Sequence, residues 1–380
     1  MFFSTKIRSS DRTRLIGSKY FDQKSLFKSA WKSLSRFDRR VSRILLQYHC
    51  QVACHRVFRV ESAKLLIYVW PSGELLAMPI IDDTVLVHHH QHNWLKYYPF
   101  IRFNNGNPIA IDFSQFIFQT VPSHDPAYLL VGRDHWGHFV IDFLSRYSMS
   151  MECLHSSFSS CLHSISMPLS KNHSSIQSLY SCASHKNLTY LPVPKVNSIL
   201  ELNDIIVSDN TPPLPFLSGM VSSQLDNWPH DAQSRIGFIN SAASASRMFN
   251  YNHLIAAFIS NGIDLIDPLS AYDNGSAQKV YSSYTLIIAP HGSAMLNPLI
   301  FTKCKIIGLF PKLLFSSYAH FNDISQYSDI ALLFNSRIFP VFGEPVNFNG
   351  GSLGVNQSIE YPHKYNINSI LIEIQRLLEP

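Results

Sequence analysis

Charge is scarce in this chain: Asp, Glu, Lys and Arg make up 15% of its 380 residues, against 46% apolar and 13% aromatic residues. That balance excludes a disordered chain, which carries few apolar groups and much charge. Cysteine is scarce too. Six, at positions 50, 54, 153, 161, 182 and 304, are too few for a disulfide-stapled domain and suit a reducing compartment. No apolar run approaches the roughly 18 residues of a membrane-spanning helix. The start, Met1-Phe2-Phe3-Ser4-Thr5-Lys6, lacks the apolar core of a signal peptide, so neither secretion nor a Golgi lumen is expected. Paired CxxC and HExxH spacings are absent despite eighteen histidines, and no zinc site is expected. No Asp-x-Asp triplet occurs to hold Mg²⁺ on a diphosphate. No G-x-G-x-x-G follows a strand-like run, which argues against a nicotinamide-dependent oxidoreductase.

What charge there is gathers at one end. Residues 1–48 hold twelve Lys/Arg against three Asp, a surplus of nine, so the remainder is net −4 within a total of +5. Leu26, Phe27, Ala30, Trp31, Leu34, Phe37, Val41, Ile44 and Leu45 recur at helical spacing, with Lys24, Lys28, Lys32, Arg36, Arg39, Arg40 and Arg43 on most of the other face. Such a basic amphipathic helix can lie on anionic lipid or pack against the body of the protein. With an acidic body and no recognition module, nucleic acid is not an expected partner.

The periodicity divides the chain into 1–48, a basic N-terminal extension; 49–210, a first α/β domain; 211–232, a proline-rich linker; and 233–380, a second α/β domain. In the first domain, alternation from Cys50 to Trp70 predicts a strand, and shorter strands are expected at 75–87, 108–113, 127–131, 188–193 and 204–207. A helix is expected from His135 to Met151, and a loop-rich excursion over 153–185. In the second domain, strands at 235–239, 262–266, 284–290 and 303–310 alternate with helices at 252–260, 277–283 and after Ser293. That order argues for a parallel, doubly wound sheet, and 367–378 reads as a terminal amphipathic helix.

Two stretches carry candidate chemistry. Tyr284-Thr285-Leu286-Ile287-Ile288-Ala289-Pro290 delivers the turn His291-Gly292 to a helix capped by Ser293. Free N–H groups and the positive end of a helix dipole then face one spot, the chemistry of an anion site; an ordinary βα corner fits the same spacing. Upstream, His138, Asp142 and Arg146 stand at i, i+4 and i+8, on one helical face. A carboxylate-held imidazole is a proton acceptor near neutral pH, and a surface ion-pair network is the competing meaning.

These two segments, in this order, resemble glycosyltransferase family 61. The resemblance rests on Trp136 through Arg146, on Ala289-Pro290-His291-Gly292-Ser293-Ala294-Met295-Leu296-Asn297 with Phe301, on Arg247-Met248-Phe249-Asn250 between them, and on Gln278. It implies a GT-B architecture, two Rossmann-like domains facing a cleft, and an inverting, metal-independent transfer of sugar from a nucleotide donor, UDP-linked, to a hydroxyl of a glycan. No cofactor is implied. Asp142 or His138 would be the base, and Arg247, His291, Gly292, Ser293, Asn297 and Arg235 would hold the donor. Arg146, Asn250 and Gln278 would support them. Asn240-Ser241, Ser293-Ala294 and Gly308 depart from the family's usual residues, which motivates a rival reading: a catalytically inactive binding or scaffold protein. The implied location is cytoplasmic, with peripheral membrane contact through 24–45 at the membrane's inner face.

Overall fold

The computed structural model describes residues 2–4, 6–21, 53–71, 75–87, 95, 98–120, 127–129, 145–154, 165–167, 188–190, 196–209, 235–268, 277–301, 304–315, 337–350, 357 and 360–379. The basic helix expected at 24–45, most of the excursion at 153–185 and the linker at 211–232 lie outside them. The described residues fall into two compact units, one up to 209 and one from 235.

The first unit holds strands β1 (Phe2–Ser4), β2 (Thr13–Phe21), β3 (Ala53–Val69), β4 (Leu75–Ile81), β5 (Thr84–Leu86), β6 (Ile101–Asn104), β7 (Asn107–Ile111), β8 (Ile117–Thr120), β9 (Ala127–Leu129), β10 (Ile165–Met167), β11 (Leu188–Tyr190) and β12 (Ser198–Ser208). All but the β6–β7 hairpin form one ten-stranded sheet. This sheet is mixed, where a Rossmann-like domain has a parallel one. β3 pairs antiparallel with β2, β4 and β12, while β8 and β9 run parallel to β12. From β3 through β5 the chain turns back by short hairpins, whereas β9, β10 and β11 are parallel neighbours with helix Ser145–Cys153 between the first two. Between β4 and β5, for example, Asp82 and Asp83 both take positive φ (43° and 33°), as a tight hairpin needs. Alternation along β3 is what the sequence led us to expect, but both faces are covered. Leu65 and Ile67 join one apolar cluster and Leu66 and Tyr68 another. The strands at 2–21 were not legible, because a surplus of Lys and Arg hides their weak pattern.

The second unit is a six-stranded sheet of β13 (Ile236–Ile239), β14 (Asp264–Ile266), β15 (Leu286–Pro290), β16 (Lys305–Pro311), β17 (Arg337–Pro345) and β18 (His363–Lys364). Its order is β14-β13-β15-β16-β17-β18; the first five run parallel and β18 returns antiparallel. Numbering the five parallel strands from β13, this is the 2-1-3-4-5 order of a flavodoxin-like sheet. β15 is buried throughout and β16 at all but its first residue, as parallel strands covered on both faces are.

Helix α1 (Ser145–Cys153) belongs to the first unit; α2 (Ala242–Ala245), α3 (Tyr251–Ser260), α4 (Ala277–Ser282), α5 (Leu296–Phe301) and α6 (Ile367–Leu378) belong to the second. α6 has the bounds its pattern predicts. Ile370, Ile374 and Leu377 form the buried stripe, and the Asn366 side chain caps the helix by accepting from Ser369 N at 3.1 Å.

The amide of Asn250, at the start of α3, ties that helix to the residue before the α6 cap. Its Nδ2 donates to Tyr365 O at 2.8 Å and its Oδ1 accepts from Tyr365 N at 3.0 Å, all buried. Replacing Asn250 by Ala orphans a buried N–H and a buried C=O, each costing about 1–3 kcal/mol. Denaturant unfolding of Asn250→Ala is expected to show a clearly lowered midpoint with an unchanged slope.

Candidate functional site

In a doubly wound sheet, ligands bind beyond the carboxyl ends of the strands, where the strand order reverses. Here that point is β13, from which the chain goes first to β14 on one side and then to β15 on the other. The segments leaving β13 and β15 there are Asn240 to Asn250 and His291 to Asn297.

Asn240 accepts a hydrogen bond from the Tyr251 hydroxyl. Ser241 precedes α2, with its carbonyl accepting from Ser244 N and Ala245 N. Arg247 then stands in a turn beside Met248, which forms a single parallel bridge to His363 of β18: His363 N donates to Arg247 O at 2.9 Å, and Phe249 N donates to His363 O at 2.9 Å. The Arg247 side chain is three-quarters buried, and its guanidinium grips Glu360 with two nitrogens, Nε to Oε2 at 3.1 Å and Nη2 to Oε1 at 2.6 Å.

Facing it is Gly292, with φ 141° and ψ 178°, a conformation that L side chains rarely adopt. A Cβ built on Gly292 would lie 3.7 Å from Arg247 Nη1, so the guanidinium sits directly over this turn. The turn leads into a 3₁₀ segment, Ser293–Met295, and on into α5. His291 is buried, with its ring 5.7 Å from that of Phe310, and its backbone N–H donates to Leu309 O on β16. The geometry therefore assembles Arg247 and Gly292, with His291 and Ser293 beside Gly292 in the chain. A guanidinium directly above a glycine turn is suited to an anion.

The other sequence candidates are placed differently. Asn297 is fully buried and donates to the Tyr281 hydroxyl of α4 at 3.0 Å, so it fastens two helices under the turn. Gln278 lies on α4. Arg235 is a correction. It precedes β13, at the amino end of the sheet, where its guanidinium binds Asp264 at 2.7 Å and lies 4.8 Å over the Tyr284 ring. A residue entering a parallel strand cannot reach the crevice at its exit. Gly308 also reads differently in three dimensions. It stands inside β16, opposite Ala289, and a Cβ there would meet Phe310 Cε2 at 2.5 Å and Ile338 Cγ2 at 3.0 Å. The departure at 308 is thus set by packing within the sheet.

In the first unit, His138 and Asp142 lie outside the described residues. Arg146, on α1, is buried. One turn later the Ser150 hydroxyl donates to Arg146 O at 2.8 Å and lies 2.8 Å from His55 Nε2, which leaves that nitrogen as the donor. Burial, aided by the neighbouring Arg146 charge, pushes the His55 pKa down to about 3. Sequence reasoning missed His55, which stands in no recognised catalytic or zinc-ligand spacing. It also missed Glu360 and His363, whose segment has no periodicity.

The family model for glycosyltransferase 61 matches residues 136–307, from just before the His138 stretch to the middle of β16. Over those residues, just under half of its length, the chain is similar to the glycosyltransferase 61 family. No curated protein matches the chain. The match points to glycosyltransferase activity, with a donor and an acceptor as substrates, and the Arg247–Gly292 arrangement lies within the matched region.

Two outcomes check this geometry. Gly292→Ala is expected to cost about 1–3 kcal/mol in thermal unfolding, because alanine must enter a backbone region it disfavours. His55 has a folded pKa below its unfolded value, so its contribution is complete above about pH 6.5 and is lost as pH falls toward 3. The slope is about 1.4 kcal/mol per pH unit. Acid unfolding curves of wild type and His55→Gln, followed by circular dichroism, should differ by that slope.

Proposed function

We propose that this chain transfers a sugar from a UDP-linked donor to a hydroxyl of a glycan or related acceptor, with inversion and without a metal. The observation that carries the reading is the Arg247 guanidinium poised over the Gly292 turn at the reversal point of the sheet. The donor diphosphate would rest there, and as the bond to the sugar breaks, its growing charge would be met by Arg247 and the N–H groups entering Ser293–Met295. Donors placed in advance where charge develops stabilise a transition state far more than a ground state. Asn250 and Asn297 would act by holding this frame.

The acceptor side falls to the first unit in this reading. Asp142, with His138 beside it on the same helical face, would take the proton from the attacking hydroxyl, and buried Arg146 would fix that helix. The oxygen then forms its bond to the sugar carbon from the face opposite the departing diphosphate. The GT-B arrangement comes with the family resemblance, and so does the absence of a cofactor. Residues 24–45 would supply peripheral contact with anionic lipid, at the cytoplasmic face. Among the described residues no helix is long and apolar enough to cross a membrane.

Arg247→Ala is expected to weaken UDP binding and cut transfer by about 10²–10³, the usual cost of removing one such donor. Asp142→Ala should abolish transfer while leaving UDP binding intact. Isothermal titration with UDP, followed by a transfer assay over a panel of nucleotide sugars, measures both. Unchanged turnover in both variants would sink the assignment. UDP binding by wild type without turnover on any donor would instead favour the inactive, scaffolding reading.

A further inference from the structure

We propose that Glu360, beyond the end of the family match, is a positioning residue that aims Arg247 at the donor diphosphate. The proposal rests on the reading of Arg247 and Gly292 given above.

A guanidinium has two edges that can each grip an anion. Glu360 takes the Nε–Nη2 edge with both carboxylate oxygens, and Nη1 is the atom nearest Gly292. A fork of two parallel hydrogen bonds fixes both the plane and the direction of the group. Without it, the long arginine side chain would sample several rotamers, and ordering it again would weaken ligand binding.

The backbone holds the two partners in place. His363, three residues after Glu360, exchanges backbone hydrogen bonds with Arg247 and Phe249, and the Tyr361 hydroxyl donates to Val346 O at 2.9 Å. The Glu360 side chain is 58% exposed and that of Arg247 only 25%, so the carboxylate approaches from the solvent side. A carboxylate competing with the diphosphate would occupy the space over Gly292. This one grips the other edge.

Full-length protein is titrated with UDP, up to millimolar concentration, as wild type, Glu360→Ala, Glu360→Gln, Arg247→Ala, Arg247→Lys and Arg247→Lys/Glu360→Ala. Glu360→Ala is expected to raise Kd about tenfold, the scale of a hydrogen bond to a charged group. Glu360→Gln, which keeps one accepting oxygen, should recover part of the loss. In the Arg247→Lys background the lysine has no fork to orient, so Glu360→Ala should change Kd by less than about twofold. A merely structural role predicts the same loss in both backgrounds and overturns the proposal. So does an unchanged or lower Kd in Glu360→Ala. If Arg247→Ala itself binds UDP like wild type, or wild type fails to bind it, the underlying site reading falls and this proposal with it.

Discussion

Strand Ile236–Ile239 is the pivot of the second unit. The chain leaves it toward Asp264–Ile266 on one side and later toward Leu286–Pro290 on the other, so the connections diverge at its carboxyl end. Divergence leaves a crevice there, walled by the loops that follow the two strands. Every other feature of the candidate site follows from that opening. The first loop brings Arg247, the second brings Gly292, and a glycine backbone allows the guanidinium to approach closely.

The walls of that crevice are held from behind. Asn250 fastens the first loop to Tyr365, His363 pairs with Arg247 and Phe249, and Asn297 fastens the second loop's helix to Tyr281. These buried polar contacts touch no ligand in the proposed reaction, yet they fix where the ligand-facing groups stand. A site built this way is pre-organised. Its electrostatic groups need little reordering when charge develops, which is the condition under which they contribute most to catalysis.

The second unit was legible where the local pattern and the tertiary demand agreed. β15 is a short apolar run ending in Pro290-His291-Gly292, and α6 carries both an Asn cap and a strict apolar stripe, so each could be read directly. β17 escaped notice because Pro340, Gly343 and Pro345 look like breakers; as the last parallel strand beside the two-residue β18, it tolerates them. β12 was read only over 204–207, since Glu201, Asn203 and Asp204 interrupt the pattern. In the structure Asp204 takes φ 52° and binds Arg59, while the ladder continues on either side. The site was half legible. The turn at His291-Gly292 shows in the sequence, whereas Arg235 looked equally suitable and only its position at the strand's entry removes it. Glu360 could not be read at all, because what joins it to Arg247 is the pairing of β18 with a distant loop.

The most direct measurement of the central claim is amide hydrogen exchange of the full-length protein with and without saturating UDP. A diphosphate seated at the reversal point should slow exchange in the loop from Asn240 to Phe249 and in Gly292 to Leu296. It should leave the amino end of the sheet, around Arg235 and Thr285, unchanged. Protection confined to that amino end, or absent from both loops while UDP is bound, would contradict the account.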